Sequence, residues 1–258
     1  MRKVRFLGLP LTVSEDDAEI VSSMRQCWLG KGPLLATFVN PHAWTLRHRD
    51  ERYPALLDEM DMVLPDGIAV SKMATSLLGM RTGRFSFDAS SLYHPLFSAL
   101  DAEKRSLFVV GAAPGVALKA VERMRASYPG ISVEGVLDGF QPREEAIQAI
   151  IDARPDLVVC GMGTPHQERF LIALRDAGFT GAAFTCGGFL DQLAAAETYY
   201  PAWVDRLEIR WLWRIWCEPK RLWRRYAIEY LPFIRLSLSS LLRRRLGMAG
   251  LSGVNPRA

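Results

Sequence analysis

The chain has 258 residues, 49% apolar and 23% charged, which is enough for one large α/β domain or two small ones with a proper core and excludes a disordered protein. The formal net charge of +4 hides an asymmetry: residues 201–258 hold 12 Lys/Arg against 4 Asp/Glu, while residues 1–200 hold 20 against 24. An acidic body argues against an extended nucleic-acid footprint, and a basic tail suggests a segment that meets an anionic surface.

Short apolar runs alternate with helical patterns along most of the chain. Strands are expected at Val4–Leu9, Leu34–Val39, Met62–Leu64, Ser106–Val110, Ser132–Val136, Leu157–Cys160 and Ala182–Thr185. Helices are expected between them at Ser14–Leu29, Ala43–Met60, Ile68–Leu78, Ala89–Leu100, Gly115–Ser127, Arg143–Ala153 and Gln167–Ala177, with Ser14 and Asp17 as a capping-type start. Such alternation predicts an α/β fold, Rossmann-like, with a mainly parallel sheet covered on both faces. Gly79 to Phe87 reads as a loop and a candidate hinge between two halves of a body spanning residues 1–200. Residues 201–258 read as a helical, basic and aromatic appendage.

Cys27, Cys160, Cys186 and Cys217 are far apart and form no CxxC, so reduced thiols in a cytoplasmic protein are the simplest account. His42, His48, His94 and His166 lack zinc-site spacing. The N-terminus is too short in its apolar run for a signal peptide, and it reads as a strand. Tyr226 to Leu242 is the most apolar stretch, but Glu229 and Arg235 interrupt it, which favours an interfacial or packed helix over a spanning one.

In a parallel sheet, ligands sit beyond the carboxyl ends of the strands. Asn40 stands at one strand end beside Pro41. Asp66 stands at another, between Pro65 and Gly67, where a carboxylate can face a cleft, although an Asp after Pro is also an ordinary turn residue. Gly111-Ala-Ala-Pro114-Gly115 offers free amides for phosphate at the start of a helix. It is neither GxGxxG nor a P-loop. Gly161-Met-Gly163-Thr-Pro repeats the idea, followed by Gln167, which can donate and accept. Glu168 suits a ligand or simply the dipole of a helix N-terminus. Asp191, behind Gly187-Gly188, suits a ribose hydroxyl or a helix cap equally.

Between Trp211 and Tyr226 the chain packs Trp211, Trp213, Trp216 and Trp223 with Arg214, Arg221, Arg224 and Arg225. Arginine grips phosphate with a planar fork of donors, and tryptophan suits a boundary between apolar and wet surroundings. Pro219 predicts a break between a helix ending near Cys217 and another beginning near Pro219. A solvated basic face over a Trp-rich core would leave the same pattern.

Taken together and in this order, Asn40-Pro41, Leu64-Pro-Asp-Gly67, Leu107 to Ala117, Asp138-Gly139, Gly161 to Glu168, Gly187-Gly188, Pro201-Ala-Trp203 and Arg214 to Tyr226 resemble the WecG/TagA/CpsF family of bacterial glycosyltransferases, over roughly residues 30–226. The resemblance implies an inverting, metal-independent hexosyltransferase without a cofactor. It would move a sugar from a UDP-sugar to a polyprenyl diphosphate-linked sugar in cell-surface polysaccharide synthesis. It also implies Asp66 as general base with Asn40 beside it. Gln167, Glu168, Arg214, Arg221 and Arg224 or Arg225 are implied as substrate contacts, in a cytoplasmic protein peripheral to the inner face of the plasma membrane.

The chain departs from the family pattern at several points. Where the family has Thr two residues before the Asn stands Phe38, and Thr37, the candidate stand-in, points to the other side of a regular strand. The family's Arg-x-x-Gly-x-Asp is Arg84-Phe-Ser-Phe-Asp88. Arg210 stands in place of a Glu, and His166 in place of a basic residue. The donor sugar, acceptor sugar and oligomeric state stay open. Two rival readings remain: a Rossmann-type nucleotide-sugar-modifying enzyme, and a non-enzymatic module binding membrane or nucleic acid through the tail. Missing GxGxxG and Tyr-x-x-x-Lys patterns weigh against the first.

Overall fold

Alternation of side chains along buried strands builds the molecule. The computed structural model describes residues 1–196, 201–207, 209–217 and 219–246, with the side chains at 202, 205, 210, 211, 214, 217, 220–222, 225 and 226 outside that description. In chain order the elements are β1 (Arg2–Phe6), β2 (Leu9–Val13), α1 (Asp17–Trp28), β3 (Leu34–Val39), α2 (His42–Arg49), α3 (Tyr53–Asp58), β4 (Met62–Pro65), α4 (Ile68–Leu78), α5 (Tyr93–Ala102), β5 (Ser106–Gly111), α6 (Val116–Ser127), β6 (Ser132–Leu137), α7 (Arg143–Ala153), β7 (Leu157–Gly161), α8 (His166–Asp176), β8 (Ala182–Thr185) and α9 (Phe189–Ala195). The appendage adds α10 (Ala202–Arg206), α11 (Arg210–Cys217), α12 (Pro219–Arg224), a π-helical turn (Arg225–Glu229) and α13 (Leu231–Arg245).

Six strands form one parallel sheet in the order β4-β3-β8-β7-β5-β6. Leu107, Val109, Leu157, Val159, Ala182 and Phe184 point to a core shared with α1, α5, α6 and α9. Their neighbours Phe108, Val110, Val158, Cys160 and Ala183 point to a core shared with α2, α3, α4, α7 and α8. That period of two puts a helical layer on each face, as apolar runs of this length require. Strands from both sides of residues 79–88 share the sheet, with β3 paired to β8.

Four expected elements differ, the helix Ala89–Leu100 beginning only at Tyr93. The strand Val4–Leu9 is a hairpin, because Leu7 (φ 49°) and Gly8 (φ 81°) form a two-residue turn that sends β2 back antiparallel to β1. The helix Ala43–Met60 is two, since Asp50 is extended (φ −133°) and Pro54 opens a new first turn. Helix α1 starts at Asp17, capped by the Asp16 carboxylate accepting from Ala18 N at 2.9 Å, while the Ser14 hydroxyl bonds the Glu19 carboxylate.

The hairpin covers the sheet edge, where Val63 N of β4 donates to Thr12 Oγ1 at 3.0 Å. The break between α11 and α12 falls at Pro219, as expected. Helix α13 lies on the body: Phe233 is 3% exposed and packs at a tilt against Trp44 with ring centroids 4.8 Å apart, and Arg244 bonds the Ser76 carbonyl. Among the described residues no helix is long and apolar enough to cross a membrane.

Candidate active site

Helices leave the central strands toward alternate faces: α2 and α8 pack on one side of the sheet, α6 and α9 on the other. Neighbouring loops at the carboxyl ends of β3, β8, β7 and β5 therefore diverge and open a crevice between them. A cleft of about 790 Å³ lies at the ends of β4, β3, β8 and β7. A second, of about 690 Å³, lies at the ends of β7, β5 and β6. Both are lined by Gly161, Met162 and Asp191, so they form one groove along the sheet.

Asn40 and Asp66 stand side by side in the first cleft, because β3 and β4 are parallel neighbours that end in register. Asp66 N donates to the Val39 carbonyl at 2.9 Å, and its carboxylate Oδ1 accepts from the Ser86 hydroxyl at 2.7 Å. Asn40 turns its Oδ1 onto the amide of His42 at 3.0 Å, which starts α2. Gly163, Gln167, Gly187, Gly188, Asp191 and Arg224 line the same cleft. Asp191 is not a helix cap: Gly188 holds that position in α9, and Asp191 sits in the first turn facing both clefts.

Thr37 and Glu168 lie beneath this cleft. Thr37 shares a strand face with Val39, pointing under α8, whereas Phe38 points into the cleft. The Thr37 hydroxyl donates to Glu168 Oε1 at 2.8 Å and sits 3.0 Å from the Thr185 hydroxyl. Glu168 is 0% exposed, and its Oε1 also receives Thr164 Oγ1 and Gln167 Nε2, each at 3.2 Å, while Oε2 has no partner among the described residues. Burial pushes the Glu168 carboxyl above the ordinary carboxylate range, against the opposing pull of its side-chain and backbone donors. Gln167 is the bridge to the surface, since its Oε1 accepts from Gly187 N at 3.3 Å at the cleft wall.

The Gly111–Gly115 turn shapes the second cleft from behind. Gly111 (φ 137°) passes so close to β7 that an added Cβ would lie 2.4 Å from the Gly161 carbonyl. Ala112 and Ala113 line the cleft, while Gly111, Pro114 and Gly115 are not among its lining residues. Phe140 stands at its mouth with 77% exposure, beside Gln141.

The appendage supplies one wall of the first cleft through Trp223, Arg224 and Glu229. Glu229 pins it: its carbonyl accepts from the Thr45 hydroxyl, and its carboxylate lies 3.0 Å from His42 Nδ1. The side chains of Arg214, Arg221 and Arg225 lie outside the described residues. Ser86, Asp88, His42 and Glu229 were not singled out by sequence reasoning as site residues. The available signal for Ser86 and Asp88 was the alternation Phe85-Ser86-Phe87-Asp88, which buries both rings in the core and sets the polar residues on the cleft side.

The sequence profile described as "Glycosyl transferase WecG/TagA/CpsF family" matches residues 4–247. The chain belongs to the WecG/TagA/CpsF family of glycosyl transferases. Among curated members it is similar to a UDP-Gal:alpha-D-GlcNAc-diphosphoundecaprenol beta-1,4-galactosyltransferase of Shigella boydii, 30% identical over 78% of this chain and 84% of that protein. An N-acetylglucosaminyldiphosphoundecaprenol N-acetyl-beta-D-mannosaminyltransferase of Bacillus spizizenii is 30% identical over 83% of this chain and 82% of its own length. A Staphylococcus aureus enzyme of the latter name is 24% identical over 76% of each chain. These WecG/TagA/CpsF relatives transfer different sugars, as their names say. The chain is thus a glycosyltransferase.

Proposed function

We propose that the chain transfers a sugar from a UDP-sugar to a sugar carried on a polyprenyl diphosphate, with inversion and without a metal, at an anionic membrane surface. The observation that carries this reading is the Asp66 carboxylate. It faces a cleft floored by helix N-termini and walled by Arg224, so a base and diphosphate-binding groups meet in one space. The acceptor hydroxyl gives its proton to Asp66 as its oxygen bonds the anomeric carbon, and the bond from that carbon to the diphosphate oxygen breaks. Negative charge then develops on departing UDP, where the amides at the starts of α8 and α9, together with Arg224, can meet it. Asn40 and Asp66 together supply a donor and acceptor pair in one pocket for the sugar or acceptor.

The second cleft suits the nucleotide. Phe140 offers an exposed ring on which a base can stack, and Asp191 at the junction faces where a ribose would bridge the two clefts. The exposed apolar face of α13, flanked by Arg235 and Arg243, suits the lipid that carries the acceptor.

A donor screen tests the reading: purified protein, a short-chain polyprenyl diphosphate GlcNAc, and UDP-sugars one at a time, with UDP release measured. The expected result is release with one UDP-sugar, dependent on acceptor and unaffected by EDTA. No release with any donor overturns the reading, and loss of turnover on chelation overturns its metal-independent part.

A further inference from the structure

We propose that Ser86 is the positioning residue of the carboxylate base, fixing one oxygen of Asp66 so that the other is presented to the acceptor hydroxyl. This rests on the reading of Asp66 as the base. A serine hydroxyl has a single proton to give and can accept at its lone pairs. Arg84 Nη1, which can only donate, occupies the accepting side of Ser86 Oγ at 3.3 Å. The Ser86 proton is therefore directed to Asp66 Oδ1, at 2.7 Å. With Oδ1 engaged, Oδ2 is left as the oxygen that takes a proton from substrate.

The backbone around Ser86 is held from several directions. Phe85 N donates to the Pro65 carbonyl at 2.9 Å, which ties the segment to the residue before Asp66. Ser86 N donates to Ser91 Oγ at 3.2 Å, and the Ser86 carbonyl accepts from Leu92 N at 3.1 Å. Phe85 and Phe87 are buried on either side, with Phe87 packed edge-on against Phe189 at 5.5 Å. Ser86 is itself buried, so its hydroxyl does not trade partners freely with water. Arg84 Nη2 reaches on to Ser90 Oγ at 3.0 Å, and Ser90 holds Asp88 Oδ1 at 2.7 Å. One guanidinium thus braces the hydroxyls that hold the Asp66 and Asp88 carboxylates. A base oriented by a third group that does not touch substrate is a recurrent arrangement in catalysis.

The test uses the full chain, a water-soluble acceptor analogue and the donor found by the screen. Ser86→Ala is expected to lower kcat about tenfold, the effect of losing one hydrogen bond to a charged group. Donor KM, UDP affinity and melting temperature should stay as in the parent, and Ser86→Thr, which keeps the hydroxyl, should restore kcat. In an Asp66→Asn background, Ser86→Ala should bring no further loss. Parental kcat in Ser86→Ala, beside an inactive Asp66→Asn, overturns the role of Ser86 alone. So does an equal fractional loss in both backgrounds, which would mean that Ser86 acts on something other than Asp66. Full turnover by Asp66→Asn overturns the assignment of the base, and this proposal with it.

Discussion

Two carboxylates of the site sit in opposite environments, and each leads to a different measurement. Asp66 is partly exposed in the cleft and hydrogen-bonded by a neutral hydroxyl. Asp66→Asn keeps the shape and removes the proton acceptor, so turnover should drop about 10²-fold or more while UDP affinity is retained. A near-parental rate would place the base elsewhere. Glu168 is buried, with one oxygen accepting three side-chain bonds and the other none among the described residues. Its carboxyl is held above the ordinary value of 4.5 by desolvation, so the folded protein keeps a proton there that the unfolded chain gives up. Stability tied to that proton is fully present below the ordinary value and is lost as pH rises through the raised one. Glu168→Gln cannot ionise and retains an oxygen for Thr37. Its melting temperature should therefore gain on the parent's as pH is raised from the ordinary carboxylate range, and a difference that is flat with pH would show that Glu168 ionises in the folded protein as it does in the unfolded chain.

At the scale of elements, the groove exists because parallel strands pack closely behind it. Gly111 makes the tightest approach to another backbone, with positive φ and the Gly161 main chain where a Cβ would go. Gly111→Ala should cost about 2 kcal/mol or more through strain and displacement of β5 from β7, read as a lower denaturant midpoint. An unchanged midpoint would show that the two strands can part without cost. Much of this layout was legible in the chain. Alternating apolar runs gave the strands, and the strand ends gave Asn40, Asp66, Gln167 and Asp191, because a parallel sheet sends its loops to one edge. The hairpin was hidden because Leu7 takes a positive φ that no Leu advertises, and Pro10 reads as a breaker although an edge strand tolerates it. The loop Gly79 to Phe87 read as a candidate hinge because the partners of Phe85, Ser86 and Phe87 are distant in sequence: Pro65 and Asp66 behind, Phe184 and Phe189 beneath. Thr37 and Glu168 lie below the cleft, and only the packing of α8 on β3 shows that they meet there.

At the scale of the whole molecule, the appendage runs from the wall of the cleft to the outer surface. Glu229 lines the cleft, and α13 presents two faces. Phe233, Ser237 and Ser240 face the body, spaced as one side of a helix. Ile234, Leu238 and Leu242 face outward at 43%, 55% and 59% exposure, with Leu231 and Leu246 extending the stripe and Arg235 and Arg243 beside it. A stripe of that kind is what an interfacial helix lays into the headgroup boundary, with each flanking arginine adding about 1 kcal/mol on an anionic surface. Deleting residues from Leu231 onward would strip Trp44 of its partner Phe233 and disturb the body, so it confuses anchoring with folding. Glutamates at 234, 238 and 242 touch only the outer face. The triple variant should fail to co-sediment with anionic vesicles at low salt, while melting temperature and turnover on a water-soluble acceptor stay as in the parent. Turnover on a long-chain polyprenyl acceptor in vesicles should fall with the loss of binding, because the enzyme no longer shares a surface with its substrate. Retained sedimentation would show that Trp203, Trp216 and Trp223, also exposed, carry the attachment instead. Lost turnover on the soluble acceptor would show that α13 acts on the cleft through Glu229 rather than on the membrane.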